Sequence, residues 1–148
     1  MIALIQRVKK GSVTVSGRLV SEIDTGLVIL LGIFQDDEKE DVEKLTKKIV
    51  NLRIMSDLEG KMNRSIIDTE GDILIISQFT LCADLKYGRR PSFIKAKDPG
   101  EAEKLYRLFV KELQKKQIKV KTGEFGTYMQ VFLINDGPVT IIVDSRKL

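Results

Sequence analysis

Histidine and tryptophan are absent from the 148 residues, and cysteine occurs once, as Cys82. Without an imidazole, Ser-His-Asp and Cys-His arrangements cannot be assembled within the chain. One thiol makes no internal disulfide, and no ligand set for a structural zinc site is left, so neither metal nor cofactor is expected. Long apolar runs are missing too. The longest, Leu27 to Phe34, falls far short of the roughly 20 residues of a membrane helix. The opening "IALIQRV" is too short for the apolar region of a secretory leader. A cytoplasmic location with no membrane association is therefore expected, and an unpaired cysteine suits a reducing compartment.

What is present is enough for one packed domain over residues 1–148, with 43% hydrophobic and 31% charged residues. The formal charge of +4 is a mild bias towards polyanionic partners. Alternating β-formers predict strands at 2–8 and 12–17, with a turn at Lys9, Lys10 and Gly11, and an arm at 18–23 continuing the sheet. The unbroken run 26–34 predicts a central strand covered on both faces. A helix is predicted over 36–54, with Val42, Leu45, Ile49 and Leu52 on one face and acids early, lysines late. A turn at 56–61, a strand at 72–79 and a loop at 87–93 follow. Pro99 then opens a helix over 100–116, with Ala102, Leu105, Leu108, Phe109 and Leu113 inward. Strands at 118–123, 128–135 and 138–145 close the chain. The fold class is α/β of α+β character: a single domain, a mixed and largely antiparallel sheet, two main helices packed on it.

Four segments invite chemistry. Ser77, Gln78, Phe79 and Thr80 lie where the 72–79 strand loses its apolar pattern. They read either as strand-terminating polar residues or as a substrate platform at a strand end. Thr80 has no histidine to activate it, Lys86 being the nearest base, whereas backbone amides there can stabilise an oxyanion without any titratable group. "NDGPVT" (135–140) reads first as a hairpin turn, and its rigid Gly137–Pro138 dipeptide, a candidate for a cis bond, reads also as a constraint on ligand shape. Lys86, Arg89, Arg90, Lys95 and Lys97 interleave with Tyr87 and Phe93, as RNA contacts require, although a solvated loop has the same composition. Phe125, between two glycines in "KTGEFGTYMQ" (121–130), is not expected in the deep core. Cys82 beside an aliphatic strand is read as a small buried hydrophobe rather than a nucleophile.

Taken together, "IQRV", "SVTV", "NLRI", "GKMN", "SQFTL", "GRRPSF", "TGEFG", "MQV" and "NDGPVT" resemble the D-aminoacyl-tRNA deacylases of the bacterial and eukaryotic type, in order and over essentially the whole chain. The resemblance implies a homodimer that hydrolyses the ester between a D-amino acid, or mischarged glycine, and the 3′ end of tRNA. It implies that Ser77, Gln78, Phe79 and Thr80 line the aminoacyl-adenosine pocket, with catalysis at Phe79 and Thr80. It places Phe125 and Met129 near the adenosine, and Gly137 and Pro138, as a cis dipeptide inserted from the partner subunit, where they reject L-amino acids. Lys86, Arg89 and Arg90 are the tRNA-contact candidates. Cys82 stands where the family often has an aromatic, and Gly126, Thr127 and Tyr128 replace smaller residues. Two other classes fit parts of the chain: an RNA-binding module without catalysis, and a hydrolase of small esters for which the basic loop is incidental.

Overall fold

The computed structural model describes residues 1–148. The initial alternation builds a single strand, β1 (Ile2–Val15), so the turn expected at Lys9, Lys10 and Gly11 is not formed. Long-range pairing overrides the local signal. The first half of β1 pairs antiparallel with β3 (Gly26–Gly32), and the half beyond Gly11 pairs antiparallel with β2 (Arg18–Ile23). Backbone donors that a turn would leave to water are thereby satisfied in the sheet.

The apolar run behaves as expected of a central strand, although it ends at Gly32 rather than Phe34. β3 pairs with β1 on one side and in parallel with β6 (Asp72–Ser77) on the other. β7 (Val120–Thr122) lies parallel beside β6, and β8 (Gln130–Asp144) runs antiparallel along β1 at the outer edge. The two strands expected at 128–135 and 138–145 are thus one, and Asn135–Pro138 is not a hairpin turn. A separate small hairpin joins β4 (Met55–Ser56) to β5 (Met62–Arg64) around the expected turn.

Helix α1 (Lys39–Val50) is shorter than the 36–54 pattern. The reason at its start is Asp37, whose buried carboxylate turns inward to accept the Phe34 amide at 2.6 Å and to pair with the Met1 amino group. At its end the Asn51 side chain donates to the Lys47 carbonyl at 2.7 Å, closing the last turn. Helix α2 (Pro99–Gln114) begins where Asp98 accepts the Gly100 amide at 3.0 Å. Both helices pack on one face of the sheet over a cluster of 22 buried residues that includes Ile5, Leu27, Leu45, Ile75 and Phe109. A smaller cluster, Val8, Val13, Ile23, Val28, Leu74 and Ile76, fills the other face under the curled end of β1 and β2. No helix is long and apolar enough to cross a membrane.

The parallel β3–β6 pair leaves no room for a side chain at its start. A Cβ at Gly26 would lie 1.9 Å from the Asp72 carbonyl oxygen. Gly26→Ala is expected to cost about 1–3 kcal/mol, lowering the melting temperature by roughly 2–12 °C in a thermal scan.

Candidate functional site

The apolar strand β6 stops at Ser77, and the backbone passes through Gln78 into a short 3-10 turn, Phe79–Cys82. The turn has a chemical consequence. Gln78 donates its amide to Leu31 O at 2.8 Å and Leu81 donates to Gln78 O at 3.2 Å, but the Phe79 and Thr80 amides donate to no protein acceptor. Both residues are exposed, while Ser77 and Gln78 are half-buried. Two adjacent unpaired N–H groups at a strand end form a ready set of donors for an oxygen carrying negative charge. The Thr80 hydroxyl is engaged as an acceptor from the Gln78 side-chain amide. The expected strand to 79 is therefore two residues too long, and the departure is what frees the amides.

Beside the strand end, β7 leads into the segment carrying Phe125 and Met129. The Gly123 amide donates to Ile75 O at 3.0 Å, and the Tyr106 hydroxyl donates to the same carbonyl at 2.9 Å. Burial pushes the Tyr106 phenol well above its ordinary pKa, so it remains a donor. Phe125 is half-buried, as the glycines on either side suggest, and its ring packs against Tyr106 at 5.4 Å between centroids. Met129 packs on Gly123 and the second core cluster. An open groove of about 340 Å³ runs between α2 and β7, with Tyr106, Arg107, Val110, Thr122, Gly123 and Phe125 on its walls.

Cys82 is buried, and burial pushes its thiol up to about 11, with the charge of Asp37 adding to the effect. A thiol of that kind is neutral at physiological pH and is no nucleophile. Iodoacetamide at pH 8 is expected to leave Cys82 unmodified in the folded protein by mass spectrometry, and Cys82→Ala to keep activity within about twofold of wild type.

Gly137 and Pro138 stand elsewhere. Gln6 pairs with Thr140 and Val8 with Asn135, so Asp136, Gly137, Pro138 and Val139 bulge out of β8 opposite Arg7 alone. The Gly137–Pro138 bond is cis, and Gly137 has φ +140°, a backbone conformation suited to glycine. Three side chains hold the bulge. Asn135 accepts the Val139 amide at 2.7 Å and donates to Thr140 Oγ1 at 3.1 Å. Arg7, only 8% exposed, donates through Nε to the Asp136 carbonyl at 2.9 Å and through Nη1 to the Ile54 carbonyl at 2.8 Å. Lys9 and Arg7 both face the Asp136 carboxylate, at 3.7 and 3.6 Å. Local pattern does not single out Arg7 or Tyr106. The signal for Arg7 is nonetheless present, since alternation along β1 puts it on the face of Ala3 and Ile5, where a charge needs a partner.

One chain does not bring its two signature segments together. Ser77 pairs with Leu31, which pairs with Ala3, whereas the bulge is level with Arg7. The offset is about 13 Å along the strands, with three strand spacings of about 4.8 Å across them. Lys86, Arg89 and Arg90 lie exposed in the loop after the 3-10 turn, joined to the strand end by an edge-to-face contact of Phe79 with Phe93 at 4.9 Å.

The same fold occurs in a solved structure described as "c-Myc DNA Unwinding Element Binding Protein", with 41% identity, a TM-score of 0.91, and 97% of this chain and 98% of that one covered. A second, described as "Structural Analysis of a probable eukaryotic D-amino acid tRNA deacylase", shares the fold at 17% identity, a TM-score of 0.83 and coverage of 96% and 97%. Curated proteins named "D-aminoacyl-tRNA deacylase" match over the full chain. That of Thermosipho africanus (strain TCF52B) is 52% identical over 100% of this chain and 99% of its own. That of Aquifex aeolicus (strain VF5) is 51% identical over 100% of both. The protein is thus an enzyme of the hydrolase class, a deacylase. The family described as "D-Tyr-tRNA(Tyr) deacylase" matches residues 4–144, and the chain belongs to it.

Proposed function

We propose that the protein hydrolyses the ester between a D-amino acid and the 3′ end of tRNA, releasing free amino acid and tRNA, and removes glycine mischarged onto tRNA in the same way. The observation that carries this reading is the pair of unpaired amides at Phe79 and Thr80 in a chain without histidine. An aminoacyl ester is already activated, so polarising its carbonyl and orienting the attack supply the larger share of catalysis. The two amides hold the carbonyl oxygen as it gains charge. Water adds to the carbonyl carbon, the bond to the ribose 3′-oxygen breaks, and that oxygen takes a proton. The neighbouring ribose 2′-OH or a second water relays the proton. Ser77 and Gln78 line the pocket wall, and Phe125 and Met129 face the adenosine.

The enzyme acts as a homodimer in the cytoplasm, with the partner subunit's Gly137 and Pro138 completing the pocket. Support comes from the separation of the two segments in one chain and from the β8 edge, where Val131, Phe132, Ile134 and Ile142 remain exposed on a strand with one neighbour. A rigid Gly137–Pro138 edge close to the α-carbon collides with an L side chain and leaves a D side chain room. Selectivity by collision accepts many D side chains and glycine.

Steady-state rates on D-tyrosyl-tRNA, L-tyrosyl-tRNA and D-tyrosine ethyl ester test the reading. Turnover of the D-tRNA ester alone is expected. Equal cleavage of the L form removes the filter, turnover of the ethyl ester makes the chain a general esterase, and tight tRNA binding without turnover makes it an RNA-binding module.

A further inference from the structure

The loop that follows the pocket is built as a separate unit. Asp84 and Ser92 exchange two backbone hydrogen bonds, at 2.8 and 3.0 Å, and close its base. The Asp84 carboxylate is fully occupied, accepting the Lys86 amide at 2.9 Å and pairing with Lys95 at 2.8 Å. Between these posts, "LKYGRRP" (85–91) carries three cations and no acid. None of Lys86, Arg89 and Arg90 has a carboxylate partner, whereas Lys95 just outside does. Tyr87 is 77% exposed, with Lys86 Nζ 5.2 Å from its ring centroid. Immediately after Ser92, Phe93 packs against Phe79, so the loop is continuous with the pocket wall.

We infer that this loop is the docking site for the single-stranded nucleotides immediately preceding the terminal aminoacylated adenosine, a statement that rests on the proposed function. Tyr87 stacks one unpaired base, and Arg89 and Arg90, with Lys86, take the phosphates on either side. An exposed aromatic face amid unpaired cations matches single-stranded RNA, which offers both open base faces and closely spaced phosphates. A duplex keeps its bases stacked internally and would engage the cations without the ring. The loop thus measures whether the end of the RNA is unpaired, before the pocket reads the amino acid.

The test is fluorescence anisotropy with a labelled single-stranded RNA ending in CCA, and with a blunt RNA duplex of the same length as control. Tyr87→Ala is expected to weaken single-strand binding about tenfold while Tyr87→Phe retains it, with the salt dependence unchanged. The double substitution of Arg89 and Arg90 by alanine is expected to reduce the slope of log K against log salt by about 1.4, two phosphate contacts on a single strand. Duplex binding is expected to be the same for wild type and Tyr87→Ala. Melting temperatures of all variants are measured in parallel, so that a fall in binding is read only on folded protein. Single-strand binding undiminished in Tyr87→Ala, equal losses on both RNAs, or an unchanged salt slope in the arginine variant each overturns the inference. Uncharged RNA is the probe, so the outcome does not depend on turnover. A protein that binds in this manner but cleaves no D-aminoacyl-tRNA refutes the proposed function alone.

Discussion

Replacing the Thr80 amide by an ester, through an α-hydroxy acid at that position, is expected to lower kcat on D-aminoacyl-tRNA about 10²–10³-fold, the usual cost of one oxyanion donor. Thr80→Ala, which keeps the amide and removes the hydroxyl, is expected to stay within about tenfold of wild type. The contrast follows from the geometry of the strand end. The Thr80 N–H has no acceptor in the protein, whereas the Thr80 hydroxyl is already occupied by the Gln78 side chain. Deleting the hydroxyl releases the Gln78 amide and loosens the pocket wall, hence a small effect rather than none. The loss in the ester variant should fall on kcat with KM little changed, because the donor matters most as charge develops on the carbonyl oxygen. A collapse by several decades in Thr80→Ala would make the hydroxyl the nucleophile and end the main-chain account.

Arg7→Ala is the second large effect, on stability and on chiral selectivity together. The guanidinium is buried and satisfies the carbonyls of Asp136 and Ile54, tying the bulge in β8 to the residue just before β4. Removing it leaves two acceptors unpaired beside the Asp136 carboxylate, at a cost of about 3 kcal/mol. For a domain of this size the melting temperature should fall by roughly 6–12 °C. With the bulge released, the ratio of kcat/KM for D over L substrate is expected to fall at least tenfold, a difference of about 1.4 kcal/mol in transition-state discrimination. Arg7→Lys separates the two roles. A lysine retains the charge near Asp136 but lacks the planar fork that reaches both carbonyls at once. It should recover only part of the stability, that of the one carbonyl it can reach, while selectivity stays low. Selectivity unchanged in both variants would show that Arg7 holds only the fold.

Sequence pattern was most informative where neighbours in sequence are also neighbours in space. The run at 26–34 predicts a strand buried on both faces, and the strand formed, Gly26–Gly32, buries Leu27, Ile29 and Leu31 in one cluster and Val28 in the other. The periodic apolar residues of α2 lie inward as expected, with Ala102, Phe109 and Leu113 buried. Pattern failed at Lys9–Gly11 and at Asn135–Pro138 for one shared reason. Both have turn composition, but the pairing of β1 with β8, a partner no local window contains, runs through both: Lys9–Gly11 stays within β1, and residues 136–139 leave the ladder only as a bulge. The strand end at Ser77 was legible as a change of character, but the two unpaired amides were not, since they depend on a 3-10 turn starting at Phe79. Arg7 was legible only as a charge on the apolar face of β1, and the bulge it holds was not, because that depends on a carbonyl 129 positions away.

The pairing of β1 with β8 also governs how the molecule is made. Ile2 lies opposite Asp144, and Arg7 binds a carbonyl 129 positions later. A chain emerging from the ribosome can assemble its helices and the β3–β6 pair early, but β1 keeps one edge open until the residues from Gln130 onward are free. Closing so large a loop is slow, since its entropic cost precedes the contacts that offset it. The Gly137–Pro138 bulge and its arginine anchor therefore take shape last. During synthesis the unfinished protein has a long unpaired strand edge, the kind of surface that favours misassembly until β8 arrives.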